Sequence, residues 1–224
     1  MTSIFERALG ADFARLHPQL QRRFGVSVTG GRACVGRGVM EHIWHAGFTR
    51  PFLALGGTRN ILVPEQGGQV PFTIENYPYV DSYGRETVTF VRTFDLPRSR
   101  RRFDAQMVYD PVKGIVDYLG SHQHLAVDLD LQVDERGGMV IRSGGFRFHE
   151  GWLSCRLPSL MTGIAMVRES YDDEAEEFRV GVTVSHPRLG PMFGYWGAFR
   201  ARYVDIAEHG VPATVMPRRE EVRR

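Results

Sequence analysis

The 224-residue chain carries 28 basic and 26 acidic side chains, a formal charge of +2, with 42% hydrophobic and 24% charged residues. That is the composition of a globular chain rather than a disordered one, and the near-balance of charge gives no strong overall field for nucleic acid or an anionic membrane. No stretch approaches 18 uninterrupted apolar residues, so no helical membrane span is expected.

The opening run MTSIFERALGADF has acids and no apolar h-region, unlike a secretory signal. It reads instead as helix. Ser3 and Glu6 have capping-box spacing, Ile4, Phe5, Ala8 and Leu9 form an apolar stripe, and Gly10 can stop the turn. Asp12 can cap a second piece with Phe13 and Leu16. Pro18 suits a first helical position, Leu20 and Phe24 follow at helical spacing, and Gly25 ends the segment. Residues 1–25 are therefore expected to be a helical plug or lid on the main body.

From Val26 onward, short apolar–polar alternations separated by turn residues take over. They predict strands at about 32–45, 69–77, 86–95, 101–109, 114–120, 123–133, 138–149, 163–171, 177–185 and 193–204. Asp81-Ser82-Tyr83-Gly84, Asp110-Pro111-Val112-Lys113-Gly114 and Glu135-Arg136-Gly137-Gly138 mark turns between them. So do Asp172-Asp173-Glu174 and the run from His186 to Pro191. Two stretches interrupt the meander. Gly47 to Gly68 includes Arg50-Pro51-Phe52-Leu53 and Arg59-Asn60-Ile61-Leu62, with room for one helical turn. Gly151 to Thr162 includes Trp152, Leu157, Pro158 and Leu160. Long apolar loops of this kind often cover a barrel's mouth. About ten antiparallel strands must hide their edges, and closure is the usual solution. The expectation is an all-β, calycin- or lipocalin-like antiparallel barrel of about ten strands, one domain over 1–211 with N-terminal helices at about 1–25. Residues 212–224, charged and without apolar periodicity, are expected to be a flexible tail.

Several runs carry a family resemblance: Leu16-His17-Pro18 with Gln21-Arg22-Arg23-Phe24-Gly25, then Val70-Pro71-Phe72-Thr73-Ile74-Glu75-Asn76-Tyr77, and Gly84-Arg85-Glu86-Thr87-Val88-Thr89-Phe90. Arg102-Phe103-Asp104 and Gly120-Ser121-His122-Gln123-His124-Leu125 add to them. Together they resemble a bacterial family catalogued as domain of unknown function 4166, over nearly the whole chain. The resemblance implies one compact domain and brings no activity with it.

Strand parity assigns faces. Phe103, Ala105, Met107 and Tyr109 share one face, as do Leu125, Val127, Leu129, Leu131 and Val133, and Phe178, Val180, Val182 and Val184. In 69–77 and 86–95 the opposite face is rich in threonine, which suits water outside or a polar cavity inside. Glu75 and Glu86 sit next to apolar neighbours, where a buried carboxylate has a raised pKa and can act as acid or base; the plain alternative is a rim charge paired with arginine. His122 and His124 place two imidazoles on one face of an extended strand, with Asp128 on the same face. His-x-His followed by an acid is similar to the first cupin motif, but the second motif is missing, and a third ligand such as His149 would have to come from another strand. Cys34 and Cys155 fit no metal or redox spacing and read as reduced. No phosphate-binding loop, dinucleotide fingerprint or nucleophile elbow occurs.

These readings give a cofactor-free enzyme that isomerises or cyclises a hydrophobic metabolite in an apolar barrel cavity. Glu75 and Glu86 would be acid and base, with Tyr77, His122 and His124 as proton partners. Arg142 would clamp an anionic group, and Thr73, Asp104 and Trp196 would complete the substrate contacts. A non-catalytic carrier for a lipid or hydrophobic metabolite, or a metal-dependent enzyme using the His-x-His pair, are the alternatives. The expected partner is a hydrophobic small molecule. No organic cofactor and no nucleic acid are called for, a homo-oligomer is compatible, and the setting is cytoplasmic.

Overall fold

Short turns between alternating segments leave each strand its chain neighbour as the nearest partner. The computed structural model describes residues 2–61, 63–158 and 162–224. The strands are β1 (Arg32–His45), β2 (Gly67–Val80), β3 (Glu86–Leu96), β4 (Ser99–Asp110), β5 (Gly114–Leu119), β6 (Leu125–Val133), β7 (Met139–Glu150), β8 (Leu153–Arg156), β9 (Ile164–Asp172), β10 (Glu177–His186) and β11 (Gly190–Asp205). All pairings are antiparallel. Ladders run from β1 through β6 in order, then β6–β7, β7–β9, β9–β10, β10–β11 and β11–β1. Ten strands therefore close into a barrel, and β8 is an extra strand on β7. The closed all-β barrel is the expected fold. β8 falls in the stretch expected to be irregular because its exposed residues carry no alternation.

β7 serves two partners. Met139 to Arg142 pair with β9, whereas Arg147 to Glu150 pair with β8. Between them, Ser143 to Phe146 part from β9, opposite a register shift in β6 between Val127 and Leu129. The Ser143 hydroxyl accepts from the Ala165 amide at 2.8 Å and bridges part of the opening.

The N-terminal segment plugs one end. Its helices are α1 (Ile4–Leu9) and α2 (Pro18–Phe24). The Ser3 hydroxyl accepts from the Glu6 amide, and His17 Nδ1 caps α2 from the residue before Pro18. Ile4, Phe5, Leu16, Leu20 and Phe24 are buried in the main core. Phe5 packs edge-on against Phe24 and Phe90. Arg23, only 1% exposed, reaches into the barrel. There it forms an ion pair with Glu169, donates to Asn76 Oδ1 at 2.5 Å and lies 3.4 Å from Cys34 Sγ. Burial disfavours the guanidinium charge, but Glu169 and Cys34 more than offset that and raise its pKa. Gly36 faces inward beside this layer; a Cβ there would stand 2.5 Å from the Phe199 ring, so the missing side chain is what admits that aromatic.

The other end is capped by the Gly47–Gly68 stretch, which holds α3 (Arg50–Gly57). Leu53 and Val63 insert into the core. The segment then crosses to the far wall, where the Asp104 amide donates to Asn60 O and the Ser121 amide to Arg59 O, both at 2.8 Å. Gly120 makes that crossing possible: its φ is +81°, and a Cβ would meet Arg59 O at 2.6 Å. Leu62 and Leu160, counted in the two loops from sequence, lie outside the described residues.

The segment 212–224 departs from the flexible tail expected of it. It lies along the outer wall of β3 to β5, following the one-turn α4 (Ile206–His209). Val215 is buried with Ala33, Val35, Tyr77 and Val91. Thr89 donates to Val215 O, Glu221 N donates to Gln123 Oε1 at 2.7 Å, and Arg85 donates to Glu221 O at 2.8 Å. Some of its charges pair within it, Glu221 being held by Arg219 and Arg223, and Arg224 pairs with Asp110 of the barrel. A charged segment can therefore dock without an apolar stripe. The threonine-rich faces of β2 and β3 point outward, and the tail covers part of them.

The buried ion pair gives a direct test. Arg23→Met strands Glu169 as an uncompensated buried charge, costing about 3–5 kcal/mol and on the order of 10 °C in Tm for a chain of this size. Adding Glu169→Leu should recover most of that loss in thermal melts. A double variant as unstable as the single one would contradict the pairing.

Candidate functional site

A closed sheet sends alternate side chains inward, so every ionisable residue at inward parity stands in the lumen. Arg92 on β3 sits between Phe90 and Phe94, cross-strand from Ile74 and Phe103. Asp117 on β5 sits between Ile115 and Leu119, cross-strand from Met107 and Val127. Tyr195 on β11 faces Ile43 and Val182. These neighbours all belong to the main core or pack against it.

Three features set this cluster apart. Asp117 is buried and its Oδ1 has no hydrogen-bond partner among the described residues. Burial pushes its pKa up to about 7, with the Arg92 charge pulling the other way. Arg92 makes no hydrogen bond or ion pair among the described residues; its guanidinium lies 4.4 Å from the Phe103 ring centre. Tyr195 is fully buried, and burial raises its phenol pKa, with Arg92 again opposing. Nearer the plug, Asn76 Nδ2 is a further buried donor without a partner. Buried polar atoms left unpaired cost free energy and mark places where water or a ligand completes the hydrogen bonding.

The nine residues singled out from sequence are placed elsewhere. Glu75 and Tyr77 project together from the outer face of β2, Tyr77 within the apolar patch under the tail. Burial and the nearby Glu75 charge raise the Tyr77 pKa. Glu86 has inward parity but stands at the plugged end, where it accepts from the Val28 amide at 3.0 Å and pairs with Arg7 at 3.3 Å. It anchors the plug. His122 and His124 stack at 5.5 Å on the outside. Ser121 bonds the first, while Glu150 and Arg219 crowd Nδ1 of the second at 2.6 and 3.0 Å. Among the described residues, no group of three or more His, Cys, Asp or Glu is disposed to hold a metal ion. Asp104 is buried on the outer face between Arg102 and Asn60, each at 3.1 Å; burial raises its pKa against the pull of Arg102. It ties down the crossing segment. Thr73 points outward, half-buried. Trp196 is exposed and packs on His42 at 4.7 Å. Arg142 lines an open groove of about 580 Å³ where β7 parts from β9, with Lys113, Asp130, Ser143, Leu157 and Pro187. The structure thus brings Glu75 to Tyr77 and His122 to His124, but does not bring those pairs to each other or to Glu86.

Sequence reasoning passed over Arg92, Asp117 and Tyr195 as a set. The signal was present: each of the first two is the one charged residue within an inward apolar triplet, Phe90–Arg92–Phe94 and Ile115–Asp117–Leu119.

Fold and site define a plugged antiparallel β-barrel with ionisable groups buried in its lumen. The chain belongs to the family described as Domain of unknown function (DUF4166), which matches residues 16–199. It is 31% identical over 207 residues to the uncharacterized protein YndH of Bacillus subtilis (strain 168), covering 89% of this chain and 97% of that protein.

The raised pKa of Asp117 predicts an inverted pH dependence. The native state keeps its proton up to about pH 7, whereas the unfolded chain loses it near the ordinary 3.8. Between those values the native state binds more protons, so this group's contribution makes stability fall as pH rises through the window and level off above it. Asp117→Asn should remove that slope and raise stability at pH 8 by a few kcal/mol, up to about 4 kcal/mol for a shift of three units. Chemical denaturation at pH 5 and pH 8 checks it. An unchanged slope in the variant would place the proton elsewhere.

Proposed function

We propose that the barrel binds an amphipathic small molecule through the lumen at the α3 end. The molecule's apolar body would lie against Phe90, Phe94, Phe103 and Phe193, and its anionic head against Arg92. The single observation that carries this reading is an arginine without an ion pair, beside a buried carboxyl group without a full set of partners, among the described residues. An apolar wall with a few convergent polar groups is the usual make-up of a small-molecule site, and a guanidinium recognises carboxylate or phosphate with two parallel bonds.

Asp117 gives the site chemistry as well as affinity. With a pKa near neutrality, both protonation forms are present at working pH, the condition for general acid–base catalysis. Its carboxylate would take a proton from one atom of the substrate and return it to another, with Tyr195 as the second hydrogen-bonding group. No net oxidation occurs and no organic cofactor is required, so isomerisation or cyclisation of the bound molecule is the matching reaction class. Carriage without turnover is the second reading. It is favoured by the placement of Glu75 on the outer face and of Glu86 at the plug, so that neither joins Asp117 beside Arg92. We also place the protein in the cytoplasm, in keeping with two free thiols, Cys34 and Cys155.

Displacement of a fluorescent long-chain carboxylate tests the site. Arg92→Met should weaken binding at least tenfold, the loss expected for a charge-assisted bond, with the fold retained by circular dichroism. Binding equal to the parent would overturn the assignment. Asp117→Asn separates the two readings: an enzyme keeps its ligand but converts none of it, while a carrier returns the co-purified molecule unchanged from the parent as well.

A further inference from the structure

We infer that the α3 end of the barrel is a docking face for an anionic lipid surface. The inference goes beyond the luminal reading and does not depend on it. α3 is apolar on both sides. Leu53 points into the core, while Phe52 and Leu55, one helical turn apart, are each 71% exposed and Phe48 is half-exposed. Leu189, in the β10–β11 turn of the same rim, is exposed too; the Ala46 amide bonded to Met192 O at 2.9 Å ties that turn's strand to the start of the cap.

The charges around this patch say what covers it. Arg50 and Arg59 flank α3, Arg98 comes from the β3–β4 turn and Arg100 from the start of β4, and Arg188 precedes Leu189; all are exposed. The rim's carboxylates are already engaged. Asp95 pairs with Arg100 at 3.1 Å, and Glu65 with Arg101 at 2.5 Å. Arg50, Arg59, Arg98 and Arg188 make no ion pair among the described residues. At the opposite end, the β9–β10 turn reads Asp172-Asp173-Glu174-Ala175-Glu176-Glu177, without a base. Arg179 pairs with Asp172 and Glu177 of that turn, and the plug beside it carries Arg7, Arg15 and Arg22, so the basic apolar rim is a local feature of the α3 end. Exposed aromatic and aliphatic side chains ringed by arginine fit the boundary between lipid headgroups and acyl chains. The exposed apolar side chains and unpaired arginines of the rim orient the barrel with its capped mouth toward the bilayer. A short apolar segment alone holds a membrane weakly, so binding requires both the apolar and the basic contribution.

Sedimentation with vesicles tests this. The full chain should pellet with phosphatidylglycerol–phosphatidylcholine vesicles at low salt, far less with pure phosphatidylcholine, and less again at 0.5 M salt, where exposed charges are screened. Phe52→Asp with Leu55→Asp should abolish pelleting while leaving the melting temperature unchanged, since both side chains are exposed. Arg50→Gln and Arg98→Gln should each lower the partition coefficient about fivefold. Equal pelleting with both lipids, or pelleting of the double aspartate variant at the parent's level, would overturn the inference. So would an absence of vesicle binding accompanied by dimers that the same double variant dissolves, which would give the face to a second copy of this chain. Luminal ligand binding is read separately by fluorescence, so failure of one result leaves the other intact.

Discussion

Closure of the sheet is the constraint from which the rest follows. Once β6 pairs with β7 and β1 with β11, no residue of the ten strands can avoid being inside or outside. Parity then fixes the lumen as a single face of alternating residues, and any polar residue at inward parity loses bulk water. Arg23's partners Glu169 and Asn76 are at such positions, and so are Arg92 and Asp117. The first pair shows how such a position is normally satisfied: a guanidinium brought in on the plug meets a carboxylate, and each holds the other's charge. The second set has no such complement. Asp117 responds by keeping its proton, and Arg92 by lying against aromatic rings.

The outer face obeys the same logic with a different solution. Thr89 and Asp104 are buried although their strands face outward there, because the C-terminal segment and the crossing segment from α3 lie over them. Thr89 and Asp104 each meet a specific partner under these covers: Val215 O for Thr89, Arg102 and Asn60 for Asp104. What resembles catalytic machinery in one dimension, a carboxylate set among apolar neighbours, is here the fastening of a strap. The same holds for Glu86, whose partners Arg7 and the Val28 amide secure the plug.

Periodicity carried the architecture. The ten barrel strands, the helical N-terminus and the inward face of β4, β6 and β10 follow from period-two alternation and turn chemistry, which act over a few residues. The site was less legible for two physical reasons. For a threonine-rich strand surface, sequence alone does not say whether the polar side meets water, a cavity or another segment; here it meets the tail, whose docking rests on polar pairs such as Arg224 with Asp110 and Arg85 with Glu221 O rather than on an apolar stripe. And the convergence of β3, β5 and β11 is set by closure over distances of tens of residues. Arg92 and Asp117 carried a local signal, an isolated charge within an apolar face, but that signal names a lumen residue without naming its neighbours.

The two ends of the barrel differ in how firmly they are shut. Among the described residues, the plug buries Ile4, Phe5, Leu16, Leu20 and Phe24 and adds the ion pair of Arg23, whereas the cap buries Leu53 and Val63. At about 1.5–3 kcal/mol per fully buried apolar side chain, the plug gains roughly 8–15 kcal/mol and the cap roughly 3–6 kcal/mol. The cap's other ties include backbone bonds at Asn60 and Arg59, the Asn60 side chain on Asp104 and the Glu65–Arg101 ion pair. Arg23 adds a penalty to unplugging that the cap lacks, because withdrawing it strands Glu169 in the lumen. The deeper-seated plug thus lies at the end away from Arg92, Asp117 and Tyr195, which stand under the rim that carries Phe52 and Leu55.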